Sequence, residues 1–127
     1  MKKGTYIDGF VICIPKKNTA AYKKMAREGL AVWKKFGALD YKECIADDLT
    51  PDTGMTKIAS FPKLVKLKSG EAIWFSFITY KSRHHRDQVN KKVMAYLAKK
   101  YGDMDMATMP FDMKRFATAG FKVEVGM

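Results

Sequence analysis

The spacing of apolar and polar positions changes period in the middle of the chain, at Lys81-Ser82. Before that point, Ile73, Phe75 and Phe77 point to one side of an extended segment. Trp74, Ile78 and Tyr80 point to the other, and only Ser76 and Thr79 are polar. Such a run reads as a strand covered on both faces. After it, apolar residues recur every three or four positions. Ser82 to Tyr101 is therefore predicted as a basic amphipathic helix with His85, Val89, Val93, Tyr96 and Leu97 on one side and Gly102 as its stop.

The same reading supplies the other elements. Tyr6 to Ile14 is a first strand, with Tyr6, Phe10, Ile12 and Ile14 on one face, Ile7, Val11 and Cys13 on the other, and Pro15 ending it. Asn18 is the expected N-cap of a helix from Thr19 to Phe36, whose inner face carries Tyr22, Met25, Ala26, Gly29, Trp33 and Phe36. Gly29 costs that helix about 1 kcal/mol of propensity, which close packing against a sheet would justify. Gly37 stops it. A strand from about Asp40 to Ala46 alternates Tyr41, Glu43 and Ile45 with Lys42, Cys44 and Ala46. The connection from Asp47 to Phe61 has little periodicity, and Leu64 to Lys68 reads as a short strand turning through Ser69-Gly70 into the central one. A Met-rich loop, Asp103 to Met113, precedes a last alternating strand from about Phe116 to Val125.

The order is thus β-α-β-β-α-β, in one domain spanning residues 1–127. Two strands are apolar on both faces and two alternate, which fits an α+β, ferredoxin-like antiparallel sheet with the former central and the latter at the edges. Both helices pack on one face of such a sheet, so the central strands keep a second apolar face. A patch of that size marks an interaction surface, and a second subunit is the expected cover. The alternative is that the segment 47–70 folds over it.

Composition narrows the function classes. The 127 residues carry a formal charge of +11, but the lysines run from Lys2 to Lys122 and are interleaved with 13 acids, as on an ordinary solvated surface. Nucleic acid is therefore the least favoured partner: the basic row on the second helix is broken by residues on its packed side, and the central strands carry no aromatic RNA-recognition motif. No apolar run approaches the roughly 20 residues needed to cross a bilayer, and Asp8 interrupts the one segment resembling a signal peptide. Two isolated cysteines, Cys13 and Cys44, fit a reducing cytoplasm and lack a base partner, so they read as core rather than nucleophiles. His84 and His85 are adjacent on a helix and point apart, so no metal site is expected. Asp47-Asp48 reads as a turn, the scattered methionines as gap fillers, and no cofactor is indicated.

Topology gives one convergence of chemistry. The strand ending at Tyr80 runs antiparallel to the first strand, so the start of the second helix lies beside the start of the first strand. Tyr6 and Asp8 are then expected near Tyr80, Arg83, His85 and Arg86, and the end of the first helix brings Trp33 and Phe36 close. A carboxylate, an imidazole and two guanidinium groups beside aromatics suit an acid-base or anion-binding pocket. The plainer reading has Asp8 pairing with Arg83 or Arg86 to fix helix against strand, with His85 a satisfied, half-buried histidine. The pattern leaves open which face of the sheet Asp8 occupies.

Several collinear stretches carry a resemblance that covers nearly the whole chain. YIDGF at 6–10, IPKKN at 14–18, KKFGALDYKECIADD at 34–48, SFPKLVKLK at 60–68, FSFITYKSRHHRD at 75–87, VNKKVM at 89–94 and MPFD at 109–112 resemble the YbaA-like family of uncharacterised bacterial proteins. The resemblance implies a ferredoxin-like domain assembling as a dimeric α+β barrel, and it implies no established activity. Position 84 is His where the motif expects a small residue, which argues against a role for it in metal binding or catalysis. The functional expectation is a homodimer holding a small organic metabolite, an anionic one included, between sheet and helices, with turnover of that metabolite left open. A non-enzymatic interaction or stress-response module comes next, and weak nucleic-acid association third.

Overall fold

The computed structural model describes residues 2, 5–55, 57–102 and 109–127. Strand β1 (Tyr6–Pro15) leads through a tight turn into helix α1 (Thr19–Lys35), then β2 (Asp40–Ile45) and a single-turn helix α2 (Phe61–Leu64). Strand β3 (Glu71–Tyr80), helix α3 (Arg83–Tyr101) and β4 (Ala117–Lys122) complete the order. Every pairing is antiparallel and the sheet order is β2-β3-β1-β4, so the two doubly apolar strands are the central ones.

Register decides which residues meet the helices. Asp8 lies opposite Ile78, Phe10 opposite Ser76, and Ile12 opposite Trp74, while Tyr41 and Glu43 of β2 lie opposite Ile78 and Ser76. Two buried clusters pack between this face and the helices. Tyr6, Ile78 and Tyr80 pack with Val32 of α1 and with Val89 and Val93 of α3. Ile12, Ile14 and Trp74 pack with Tyr22 of α1 and with Phe111. Asp8, 5% exposed, falls between Tyr6 and Phe10 on the helix side, which answers the question of its face.

Three local expectations need correction. Leu64 to Lys68 is not a strand: Ser60 caps α2 by accepting from the Lys63 N–H (3.3 Å), and Pro62 sits in the first turn, where its fixed φ suits a helix and its missing N–H is not needed. Lys66 then takes φ +53° to end the turn. Asn18 holds the N-cap position of α1 but does not cap it; its side chain donates instead to the Pro110 carbonyl (2.9 Å). The last strand spans six residues rather than about ten, all exposed, as befits an edge. Ser82 does cap α3, accepting from the His85 N–H at 3.0 Å, and Gly37 and Gly102 follow the two long helices with positive φ. The stretch 103–108, with Met104 and Met106, lies outside the described residues.

Among the described residues, the outer face of the sheet is covered at one end only. Cys13 is buried there, with its Sγ 4.0 Å from the Val65 carbonyl. Arg115 clamps this segment by donating to the carbonyls of Val65 (3.4 Å) and Lys66 (3.0 Å) and by pairing with Glu71. Beyond it the face stays open: Phe75 is 47% exposed and Phe121 57%, beside half-buried Ile7, Val11 and Phe77. The segment 47–70 thus covers part of the second apolar face and leaves its centre uncovered.

Candidate ligand site

A cavity of about 500 Å³ lies between the sheet and the two long helices, within the size range of small-molecule sites. Its apolar wall includes Phe10, Ile12, Met25, Phe111 and Phe116. Two polar groups of side chains border it, one at Asp8 and one at Glu43.

The first group joins β1, β3 and both long helices. Arg86, in the first turn of α3, donates Nη1–H to Asp8 Oδ1 at 2.5 Å and Nε–H to Asp87 at 2.8 Å, and its guanidinium lies over the Tyr6 ring, 4.9 Å from the centroid. Asn90, one turn on, donates Nδ2–H to the other Asp8 oxygen at 3.3 Å. Its Oδ1 accepts from Trp33 Nε1–H and from the Tyr80 hydroxyl, each at 3.1 Å, and Trp33 also reaches the Tyr80 oxygen at 3.1 Å. Burial, followed by the Asp8 charge, pushes the Tyr80 hydroxyl well above the ordinary tyrosine value, so it stays a donor. Hydrogen bonding to Asp87 and then the Asp8 carboxylate hold Arg86 more firmly charged.

Five of the seven residues singled out from sequence are therefore brought together: Tyr6, Asp8, Trp33, Tyr80 and Arg86. Arg83 is exposed on the helix surface. His85 is half-buried on another side of α3, where its Nδ1 accepts from the Lys81 N–H at 3.0 Å and its ring meets Tyr80 edge-on. Burial, then the charges of Lys81 and Lys92, lower its pKa. Asn90, the link between Asp8 and the two aromatic donors, carried no sequence signal beyond its place one turn after Arg86.

The second group went unnoticed in the sequence. Glu43 of β2 accepts from three hydroxyls: Tyr22 of α1 at Oε2 (2.7 Å), Tyr41 at Oε1 (3.0 Å) and Ser76 of β3 at Oε2. Burial and Glu43 itself push the Tyr22 and Tyr41 hydroxyls far above their ordinary value, which keeps their protons available to the carboxylate. Among the described residues no Lys, Arg or His forms an ion pair with Glu43. Two signals were in the sequence: a glutamate sharing a strand face with Tyr41 and Ile45, and a serine in the middle of the inner face of β3. No group of three or more potential metal-binding side chains occurs among the described residues.

The comparisons with other proteins agree with this architecture. Residues 5–113 match the family described as "Protein of unknown function (DUF1428)". The chain belongs to that family. The uncharacterised protein YbaA of Escherichia coli K12 is 39% identical over 118 residues, covering 92% of this chain and 94% of its own. The uncharacterised YbaA of Shigella flexneri matches to the same extent. Among solved structures, a dimeric ferredoxin-like protein from an uncultured marine organism aligns with a TM-score of 0.51 at 13% identity, over 97% of this chain and 99% of that one. At that identity the likeness concerns fold alone, and it places this DUF1428 chain among ferredoxin-like α+β proteins. Among the described residues no helix is long and apolar enough to cross a membrane.

Proposed function

We propose that this DUF1428 protein is a cytoplasmic homodimer that binds a small organic molecule between its sheet and helices, with the outer sheet face covered by a second copy. The observation that carries the ligand reading is the cavity of about 500 Å³ with apolar walls and two convergent polar groups. An interior packed to ordinary density would not keep such a space. The dimer reading rests on the open apolar centre around Phe75 and Phe121 and is consistent with the dimeric state of the marine ferredoxin-like relative in fold. A cytoplasmic location accords with two free cysteines, one buried and one exposed.

A melting-shift screen of small organic compounds tests the ligand reading, with Ala26→Phe as the control that fills the cavity from α1. Compounds that raise the melting temperature of the wild-type chain but not of Ala26→Phe support the site. Equal shifts in both chains would place the binding elsewhere and remove the proposal.

A further inference from the structure

Resting on the cavity reading above, we infer that the molecule held there is an organic cation: an apolar body carrying a protonated amine, with the amine set against Glu43. Most charges around the cavity already have partners. Arg86 is committed to Asp8 and Asp87, and Lys42 donates to Asp40 at 2.5 Å. Glu28 is met by Lys100 and the Tyr101 hydroxyl. Glu43 alone among the bordering carboxylates has hydroxyl partners and no countercharge among the described residues.

The geometry supplies the rest. Oε2 takes two of the three hydroxyl hydrogens and Oε1 takes one, so Oε1 retains acceptor capacity. Three neutral donors orient the carboxylate and leave its charge uncancelled at the edge of an apolar cavity, where an ammonium group gains both a charge-assisted hydrogen bond and weak screening. Phe10, Met25, Phe111 and Phe116 offer aromatic and thioether surface for the apolar body. In the register, Asp8 and Glu43 sit two strands and two residues apart, roughly 12 Å between backbones from standard sheet spacings. The Asp8–Arg86 pair is thus a separate, neutralised boundary of the cavity, and Glu43 is where the amine docks.

The test uses three probes of matched shape on the intact protein: 2-phenylethylammonium, 2-phenylethanol and 3-phenylpropanoate, titrated by calorimetry into the wild-type, Glu43→Gln and Ala26→Phe chains. The net charge of +11 favours the carboxylate probe at long range, so a preference for the ammonium must come from the site. The ammonium is expected to bind the wild-type chain most tightly, to lose about tenfold or more in Glu43→Gln, and to lose binding in Ala26→Phe. Comparison of the three probes on the wild-type chain alone decides the matter should Glu43→Gln fail to fold. Binding of the carboxylate as tightly as the ammonium overturns the inference and leaves the cavity reading standing. So does an ammonium preference that Glu43→Gln retains. Binding that survives in Ala26→Phe, or no binding of any probe to the wild-type chain, overturns both.

Discussion

Gly29 of α1 and Tyr41 of β2 are matched: a Cβ built on Gly29 would lie 2.7 Å from the Tyr41 hydroxyl oxygen. The glycine therefore gives the hydroxyl room to stand between helix and sheet and donate to Glu43. Gly120 plays the same part for Tyr6, whose hydroxyl would collide with an added Cβ. Both glycines shape the cavity border by what they leave out.

Gly29→Ala is accordingly expected to destabilise the chain, although alanine is the better helix former by about 1 kcal/mol. In a Tyr41→Phe background the clash disappears, since the nearest ring carbon stands at an ordinary 3.5 Å. There the same substitution should be neutral or stabilising by up to about 1 kcal/mol. Denaturant unfolding of the four chains in this cycle measures the coupling. Equal effects of Gly29→Ala in both backgrounds would contradict the match.

Asp8→Asn should cost about 3 kcal/mol, because it strands the Arg86 guanidinium in a half-dry setting with only Asp87 for charge compensation. Asp8→Asn with Arg86→Met should recover part of that loss, since a buried pair removed together leaves no orphan charge. Urea melts of the single and double variants check both statements. A single variant as stable as the wild type would show that the pair contributes nothing.

Much of this arrangement could be read from the sequence, for reasons that belong to particular residues. Strand β3 announced itself because Ile73 to Tyr80 is apolar on both faces, and the switch to helical spacing after Lys81 fixed where polar side chains would meet the core. Antiparallel pairing of β1 with β3 then put Asp8 beside the start of α3, within reach of Arg83 or Arg86, and the structure pairs it with Arg86. The face of Asp8 was not legible, because the β1 pattern is apolar on both sides and only tertiary packing distinguishes them. Glu43 was hidden for a different reason: its three partners come from α1, β2 and β3, and no local spacing links Tyr22, Tyr41 and Ser76. Leu64 to Lys68 misled because Val65 and Leu67 alternating with Lys66 and Lys68 imitate an edge strand, while the Ser60-Phe61-Pro62 start is a helix-capping signal of one turn.

His85 gives a pH dependence with a defined sign. Burial and the nearby Lys81 and Lys92 lower its pKa from 6.5, and on its other sides it meets the Tyr80 ring and Gly37. The folded chain thus favours the neutral imidazole, and the unfolded chain takes up a proton first as pH falls. The His85 contribution is complete above about pH 6.5 and is lost as pH falls through the lower folded value. Melting temperature followed across this range should drop toward acid in the wild type and drop less in His85→Gln. A larger drop in the variant would reverse the sign and contradict the assignment.

The open centre of the outer sheet face carries the proposed dimer. Phe75→Lys and Phe121→Lys place a charge on surface that is already half exposed, so in an isolated subunit each should change stability by only about 0.5 kcal/mol. In a dimer closed through this face, each puts an unpaired charge into an apolar contact. Size-exclusion chromatography of the two variants should show later elution than the wild type, with unchanged circular dichroism. Elution identical to the wild type would place the contact elsewhere.

Native mass spectrometry of the purified wild-type chain is the most direct single test. A dimer with a ligand-holding cavity gives a species at twice the 14.5 kDa subunit mass, together with a satellite peak one small organic molecule heavier once a compound that raises the melting temperature is added. A bare monomer at every concentration, with no added mass in the presence of that compound, would contradict both the covered sheet face and the occupied cavity.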